Sequence, residues 1–302
     1  MFVTEHYKRV IAACLCASLV ALPLTGCGNT DSAPDTAATT TVNDRDRTTV
    51  TTQTTSTTVQ STAFADETTT TVTETQTTTT PTTSGSVSVA PNVNYFVPPS
   101  GSVDVSYFSD AVFVGDSVSL KLTNYHYSTD CLGDATFLTS GSLGVANSMW
   151  SLNDPNAVHP YLRGEKVTVV DGIAKSGCSK VYLMLGINDV GLYGVEGTFE
   201  NFKTLTAKIL EKSPNVTFYI QSVTPLHEDY YNVTNARVNQ YNTLISEYCR
   251  EKGWYFVDVA SVLRDENGKL PREYCSDPDG MGIHFTDAAC QKWVEYLYTH
   301  TG

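Results

Sequence analysis

Four short polar segments of the chain carry side chains that could do chemistry. Residues 115–117, 139–142 and 186–189 each follow a short apolar run, and residues 279–284 lie in a glycine-rich stretch far downstream. A serine hydroxyl can attack a carbonyl carbon when a neighbouring base takes its proton. For Ser117 taken alone, a cap of the helix that follows it is the favoured interpretation. The other three segments instead favour a nucleophile over a cap.

Alternating strands and helices must position these segments. Apolar runs predict strands over 111–114, 135–138, 180–185, 216–223 and 254–259, and an extended segment over 166–170. Apolar spacing predicts helices over 171–176, 199–210, 233–251 and 287–298, the first capped by Asp171. Strands separated by helices indicate an α/β protein with a parallel sheet and helices on both faces. Because ligand sites in such sheets lie at the carboxyl ends of the strands, we expect the polar segments at one edge.

In this order, the four segments resemble the sequence blocks of the SGNH hydrolases, also called GDSL esterases and lipases. The matching residues are Gly115-Asp116-Ser117, a glycine in the second segment, Gly186-x-Asn188-Asp189 and a late His284. The resemblance extends from residue 111 to about residue 298. It implies a three-layer α/β/α fold of the flavodoxin type. It also implies a serine hydrolase that acts on ester bonds with neither a cofactor nor a metal.

The resemblance implies a role for each block. Ser117 is the nucleophile, the late histidine is its base, and Ser117, Gly141 and Asn188 form the oxyanion hole. Gly144 is the alternative to Gly141 as a donor in the oxyanion hole. Gly141 is preferred because the family pattern places the donor glycine directly after a serine or threonine at the end of a strand, and Gly141 follows Ser140. Asp189 is interpreted as structural, accepting hydrogen bonds from backbone amides of the same loop.

The chain departs from the family pattern at the acid. The family's acid lies three residues before the histidine, where this chain has Met281, and the nearest carboxylates belong to Asp279 and Asp277. We expect Asp279 to reach His284 through a bulge at the flanking glycines. A backbone carbonyl that orients the ring in a Ser–His dyad is the alternative. Cys275 and Cys290 bracket the loop, and we expect a disulfide between them, with two buried free thiols as the alternative.

The amino terminus, residues 1–26, is predicted to be a lipoprotein signal peptide. Lys8 and Arg9 precede about 15 mostly apolar residues, fewer than the roughly 20 that span a bilayer. The stretch ends in Leu-Thr-Gly followed by Cys27, which resembles a bacterial lipobox. We therefore expect the mature chain to begin at a lipidated Cys27. A plain signal peptide that happens to contain a cysteine is the alternative.

Residues 27–102 are predicted to form a disordered, threonine-rich linker ahead of a domain over 103–302. Threonine makes up about half of residues 36–83, where Phe64 is the single aromatic residue. Such a segment cannot bury enough apolar area to offset its ordering entropy. A stalk that lifts the domain from the membrane is the expected arrangement, with residues 95–97 as candidates to dock on the domain.

Composition narrows the function further. The 302-residue chain has a net charge of −13, and residues 103–302 contain 24 acidic and 15 basic side chains, or −9. This charge argues against nucleic acid and other polyanions as partners. We expect a monomeric, membrane-anchored extracellular serine esterase that removes small acyl groups, above all O-acetyl, from polysaccharide through an acyl-enzyme. A lysophospholipase-type lipid esterase and a non-catalytic glycan- or partner-binding module are the alternatives.

Overall fold

A single parallel sheet forms the centre of the domain in the computed structural model, which describes residues 96–302. Its strands are β1 (Ala111–Gly115), β2 (Thr136–Thr139), β3 (Lys180–Met184), β4 (Thr217–Gln221) and β5 (Tyr255–Val257). The spatial order is β2-β1-β3-β4-β5, and every neighbouring pair is parallel. This is the strand order of flavodoxin-like folds, so the predicted fold class is confirmed.

Helices cover both faces of the sheet. They are α1 (Ser117–Thr129), α2 (Val169–Ser176), α3 (Val190–Lys212), α4 (Asn235–Lys252) and α5 (Asp287–Thr299). Buried residues of α1 and α5 pack on one face, and those of α2, α3 and α4 pack on the other. Two-residue strands, Tyr161–Leu162 and Glu165–Lys166, form a separate antiparallel hairpin. Among the described helices, none combines the length and apolar character needed to cross a bilayer.

The two faces of the sheet differ in chemistry. On the α1/α5 face, each strand contributes one aromatic ring at a register-paired position, and we call this row the aromatic ladder: Phe137, Phe113, Tyr182, Tyr219 and Tyr255. The rings are stacked, with successive centroids 5.5, 4.7, 4.6 and 4.9 Å apart. The opposite face is mainly aliphatic, as expected for strands buried on both sides. Because stacked aromatic pairs stabilise beyond their buried area, the ladder helps to fix the register of all five strands.

Two helices begin earlier in the chain than the sequence predicts. The segment over 166–170 was expected to be extended, but α2 already begins at Val169. Its cap is Thr168, whose hydroxyl accepts a hydrogen bond from the backbone N–H of Asp171 at 3.0 Å. The prediction that Asp171 caps this helix is therefore wrong, and its side chain instead accepts from the Thr168 hydroxyl. Helix α3 begins nine residues before the predicted position 199, with a kink at Gly194, where φ is +70°.

The chain ahead of β1 contacts the domain at its carboxyl-terminal elements. The backbone N–H of Val97 donates to Phe256 O at 3.1 Å, and those of Ser100 and Val103 donate to residues 299 and 298 at 2.6 and 2.9 Å. Residues 96–103 therefore run along β5 and the end of α5. The predicted signal peptide, the predicted lipidation of Cys27 and the predicted threonine-rich linker up to residue 95 lie outside the described residues. The division at residue 103 stays a prediction.

Candidate active site

The carboxyl ends of three neighbouring strands lie side by side. Gly115 of β1 is the register partner of Thr139 in β2 and of Met184 in β3. The backbone N–H of Ser140 extends this pairing by donating to Gly115 O at 3.2 Å. The polar segments that follow these strands therefore emerge at one edge of the sheet, as parallel topology requires.

Ser117 is the first residue of α1, and it does not cap that helix. Asp116 is the cap, because its Oδ1 accepts a hydrogen bond from the Val118 N–H at 2.9 Å. The Ser117 hydroxyl is thus free for another partner, and its Oγ lies 3.1 Å from Nε2 of His284. Burial raises the pKa of Asp116 to about 7, against the opposing effect of hydrogen bonds from two backbone amides.

The acid that contacts His284 is Asp277. Its Oδ2 lies 2.7 Å from Nδ1 of the histidine, and its Oδ1 accepts from the His284 backbone N–H at 3.0 Å. The expectation that Asp279 fills this place is wrong. The side chain of Asp279 is 87% exposed and faces Arg272 at 3.5 Å. The alternative of a Ser–His dyad is also wrong, because a carboxylate and not a backbone carbonyl contacts Nδ1 of His284.

The electrostatics of this pair favour a base on the Ser117 side of the ring. The hydrogen bond to Asp277 raises the pKa of His284, with burial opposing and the charges of Asp277 and Asp116 adding to the rise. For Asp277, burial raises the pKa, but hydrogen bonds from the His284 side chain and backbone outweigh it and leave the pKa lowered. A charged Asp277 holds the proton of the neutral ring on Nδ1, so Nε2 is free to accept a proton from Ser117.

Backbone pairing closes the loop that carries Asp277 and His284. Ser276 N–H donates to His284 O at 2.8 Å, and Cys275 pairs with Phe285 in an antiparallel bridge. Inside the loop, the N–H groups of residues 280 and 282 both return to Asp277 O, at 2.8 and 3.2 Å. Asp277 lies seven residues before His284, four more than in the family pattern. This tight turn takes up the additional residues, so the Asp277 carboxylate still reaches the imidazole ring. The glycines at 280 and 282 were the signal for it in the sequence.

The expected disulfide is absent from this loop. Cys275 and Cys290 are both buried free thiols. Cys275 turns its Sγ toward Oδ1 of Asp277, 3.4 Å away, whereas Cys290 packs in the first turn of α5. The backbone hydrogen bonds that close the loop hold it in place, which is the role that the disulfide was expected to have.

The predicted oxyanion-hole residues lie on the neighbouring loops. Asn188 donates one amide hydrogen through Nδ2 to Leu143 O at 3.0 Å, which joins the loop after β3 to the loop after β2. A primary amide has two such hydrogens, so one remains. Within residues 96–302, the backbone N–H groups of Ser117 and Gly141 have no hydrogen-bond partner. The competing Gly144 is already engaged, since its N–H donates to Asn147 Oδ1 at 2.7 Å.

Asp189 fixes the loop that holds Gly141 in place. Its carboxylate is 1% exposed and accepts from the Val145 and Ala146 N–H groups at 2.7 and 3.0 Å. Burial raises its pKa to about 6, opposed by these two hydrogen bonds. Gly144 is needed for this approach, because a Cβ there would lie 2.7 Å from Oδ2 of Asp189. Asp189 has the structural role that was predicted, but the amides it holds belong to the loop after β2 and not to its own loop.

The other described histidines have structural contacts. His126 Nδ1 accepts from a backbone N–H at 3.2 Å, and His227 Nδ1 lies 2.9 Å from a backbone carbonyl. His159 is buried beside Ser151 O, and His300 stacks on Tyr296 at 3.6 Å. In residues 96–302, no group of three or more His, Cys, Asp or Glu side chains is arranged to hold a metal ion.

A family model matches this domain. The model for the GDSL-like lipase/acylhydrolase family matches residues 133–292, which is more than half of the chain. The chain belongs to this family and is an ester hydrolase. The matched range contains Asn188, Asp277 and His284 but begins after Ser117. The place of Ser117 in the site therefore follows from its contact with His284.

Several solved structures are similar to the chain. A candidate platelet activating factor from Streptococcus pneumoniae has 21% identity and a TM-score of 0.48, over 62% of this chain and 81% of the other. A GDSL-like lipase from Bacteroides thetaiotaomicron has 16% identity and a TM-score of 0.47, over 62% and 84%. A carbohydrate esterase of family 3 from Talaromyces cellulolyticus has 12% identity and a TM-score of 0.43, over 62% and 94%. Likenesses at this level carry no inference about substrate. No curated protein matches the chain.

Proposed function

We propose that the chain is a serine esterase that removes small acyl groups, above all O-acetyl, from carbohydrate through an acyl-enzyme. The observation that supports this most directly is the continuous series Ser117 Oγ, His284 and Asp277, with contacts of 3.1 and 2.7 Å. A hydroxyl, a base and a group that orients the base are the parts that nucleophilic acyl transfer needs.

Acylation begins with attack of Ser117 Oγ on the carbonyl carbon of the ester. The Oγ proton moves to Nε2 of His284, and the carbonyl π pair moves onto its oxygen. The N–H groups of Ser117 and Gly141 and the second amide hydrogen of Asn188 stabilise this oxyanion. When the oxyanion collapses, the ester C–O bond breaks and Nε2 gives its proton to the leaving alcohol. Ser117 is left as an ester of the acyl group.

Deacylation repeats the sequence with water. Nε2 of His284 takes a proton from the attacking water, and a second oxyanion forms on the same three donors. Its collapse breaks the bond to Ser117 Oγ, which recovers its proton from Nε2. The carboxylic acid leaves, and Asp277 remains charged throughout because its pKa is lowered.

The exposure of the site supports an acyl group attached to a bulky acceptor. Ser117 is half-buried, and the side chain of His284 is 36% exposed, so the reacting atoms lie at the protein surface. A short acyl group can reach Ser117 there while a large alcohol stays outside. The net charge of −9 over residues 103–302 favours a neutral acceptor over a polyanion.

The proposed location is the outer side of a bacterial cell membrane. A lipid on Cys27, followed by a threonine-rich tether up to about residue 102, would hold the domain near cell-surface glycans. In this arrangement the chain contacts the membrane through the anchor alone.

Hydrolysis of p-nitrophenyl acetate by the purified domain tests the reaction. We expect turnover that falls by about 10⁴-fold or more in Ser117→Ala, and no change in Ser128→Ala, an exposed serine at the far end of the same helix. Mass spectrometry of wild-type enzyme that is quenched during turnover should find one acetyl group on Ser117. Turnover that survives in a folded Ser117→Ala protein would refute the acyl-enzyme. Absence of any turnover in the wild type would favour a binding module.

A further inference from the structure

A short turn beside the site presents two tyrosine side chains to solvent. Tyr231 is 86% exposed and Tyr230 is 36% exposed. Their rings meet edge to face, with centroids 4.7 Å apart and planes at 88°. Contiguous exposed apolar surface marks interaction sites in many proteins, and these two rings lie side by side on the surface. The mechanism derived above uses neither of them.

The turn lies between two segments that carry site residues. On one side, the N–H of His227 donates to Gly282 O at 2.7 Å, two residues before His284. On the other side, a Cβ at Gly191 would lie 2.8 Å from Cγ2 of Val233, and Gly191 is three residues after Asn188. Residues 227–233 therefore run from the histidine loop to the oxyanion loop, along the edge of the site.

The backbone of this turn is held firmly. Tyr230 and Val233 exchange two hydrogen bonds of 2.9 Å, and Arg237 donates to Asn232 O at 2.6 Å. Tyr231 lies in the left-handed region, with φ of +50°, a conformation that a bulky side chain seldom adopts. Such strain persists where surrounding contacts impose it, and it is concentrated at functional sites. The rings are thus presented by a preorganised turn.

The chemistry around the rings indicates a neutral polyol. A tyrosine offers an apolar face to the C–H face of a sugar ring and a hydroxyl to its hydroxyl groups. Glu228 and Asp229, which immediately precede the tyrosines, are exposed carboxylates. One oxygen of each is held within the protein, by Lys269 Nζ at 2.6 Å and by the Asn235 N–H at 2.8 Å, and the other oxygen can accept a hydrogen bond from a sugar hydroxyl. Glu228 is paired with Lys269, so the charge that disfavours a phosphate headgroup here is that of Asp229 together with the net charge of −9 over residues 103–302.

We propose that Tyr230 and Tyr231 form the acceptor subsite of this esterase and stack on a sugar ring of a neutral O-acylated carbohydrate. This inference rests on the proposed function, because the sugar is the alcohol part of the ester that Ser117 attacks. Tyr231 is a binding residue in this scheme and takes no part in bond breaking. Its contribution is therefore specific to substrates that carry a sugar acceptor.

The test compares two acetyl esters on the same enzyme. The substrates are p-nitrophenyl acetate, which has no sugar, and O-acetylated xylo-oligosaccharides. We expect Tyr231→Ala to raise KM for the oligosaccharide about fivefold to twentyfold, the size of one lost ring contact. For p-nitrophenyl acetate, kcat/KM should stay within about twofold of wild type. Tyr231→Phe should keep most of the oligosaccharide affinity, since it retains the ring.

Two further variants keep the test decisive. Tyr231→Gly removes the ring while suiting the positive φ, so it should behave as Tyr231→Ala does even if alanine disturbs the turn. Tyr127→Ala removes a tyrosine that is 74% exposed near the far end of α1, and it should change the kinetic constants for neither substrate.

The outcomes separate this inference from the proposed function. If the wild type turns over neither ester, the proposed function is overturned. Turnover of p-nitrophenyl acetate without turnover of the oligosaccharide overturns the carbohydrate acceptor, in the proposed function as well as in the subsite, and leaves the esterase chemistry standing. Equal effects of Tyr231→Gly on the two esters overturn the subsite alone. Lysophosphatidylcholine hydrolysis that depends on Tyr231 would overturn the assignment to a neutral carbohydrate.

Discussion

Replacing Asp277 with asparagine should lower kcat by about 10³–10⁴ while the fold survives. The carboxylate accepts two hydrogen bonds from one residue, from His284 Nδ1 at 2.7 Å and from the His284 backbone N–H at 3.0 Å. Asparagine has the same shape but a single acceptor oxygen. One of the two hydrogen bonds must therefore be lost or reversed.

The backbone contact decides which one. If the amide oxygen of the new side chain keeps the backbone N–H, its NH₂ group faces Nδ1 and forces the ring proton onto Nε2. That tautomer cannot accept the proton of Ser117. The opposite orientation sets the NH₂ group against the backbone N–H, with two donors facing each other. The expected loss corresponds to about 4–5.5 kcal/mol of activation free energy at 1.36 kcal/mol per tenfold.

The measurement is kcat on p-nitrophenyl acetate, with Asp279→Asn as the matched control. Asp279 is exposed, and its carboxylate faces Arg272 rather than His284. The kcat of Asp279→Asn should therefore stay within about twofold of wild type. Urea unfolding midpoints establish that both variants fold. A folded Asp277→Asn enzyme that keeps more than about a tenth of wild-type kcat would refute the reasoning. So would a large loss in Asp279→Asn.

The remaining predictions concern the oxyanion hole, the pH profile, the loop and the anchor. Asn188→Ala should lower kcat by about 10²–10³ in a folded protein, and a near-normal rate would remove this side chain from the site. Because the pKa of His284 is raised from 6.5 and only the neutral ring accepts a proton, kcat/KM should fall on the acid side with a midpoint above 6.5, which a pH series measures. Gly144→Ala should lower the free energy of unfolding by about 1–3 kcal/mol in urea titrations, whereas Gly141→Ala, with open space around a Cβ, should not. Radioactive fatty acid should label the wild-type chain and not Cys27→Ala, and equal labelling would end the lipoprotein proposal.

The parts of the fold that follow from local pattern were predictable from sequence. Lys180–Met184 and Ala111–Gly115 are short apolar runs between turn residues, and both are central strands. The start of α3 was not predictable, because glycines at 191, 194 and 197 break the helical spacing that marks its later turns. The extended conformation predicted for residues 166–170 holds at Lys166 and Thr168 and fails at Val169 and Val170. Valines favour strands, but the cap at Thr168 starts a helix at this point.

In the site, residues that directly follow a strand were predictable, and those set by loop geometry were not. The register of β1, β2 and β3 places Ser117, Gly141 and Asn188 at one edge. The choice between Asp277 and Asp279 depends on a turn in which two amides return to one carbonyl, and sequence distance gives the wrong answer there. Whether two cysteines pair depends on the direction of their side chains, which spacing alone cannot supply.

The aromatic ladder makes the core of this enzyme visible to spectroscopy. Three adjacent rings of the ladder, those of Tyr182, Tyr219 and Tyr255, are tyrosines with centroids 4.6 and 4.9 Å apart. Chromophores fixed in asymmetric surroundings give a near-ultraviolet circular dichroism signal that disappears when side-chain packing is lost, even if helices persist. The ladder contains none of the residues that do chemistry. An optical signal from the sheet can therefore report native packing in an enzyme whose ester chemistry has been switched off.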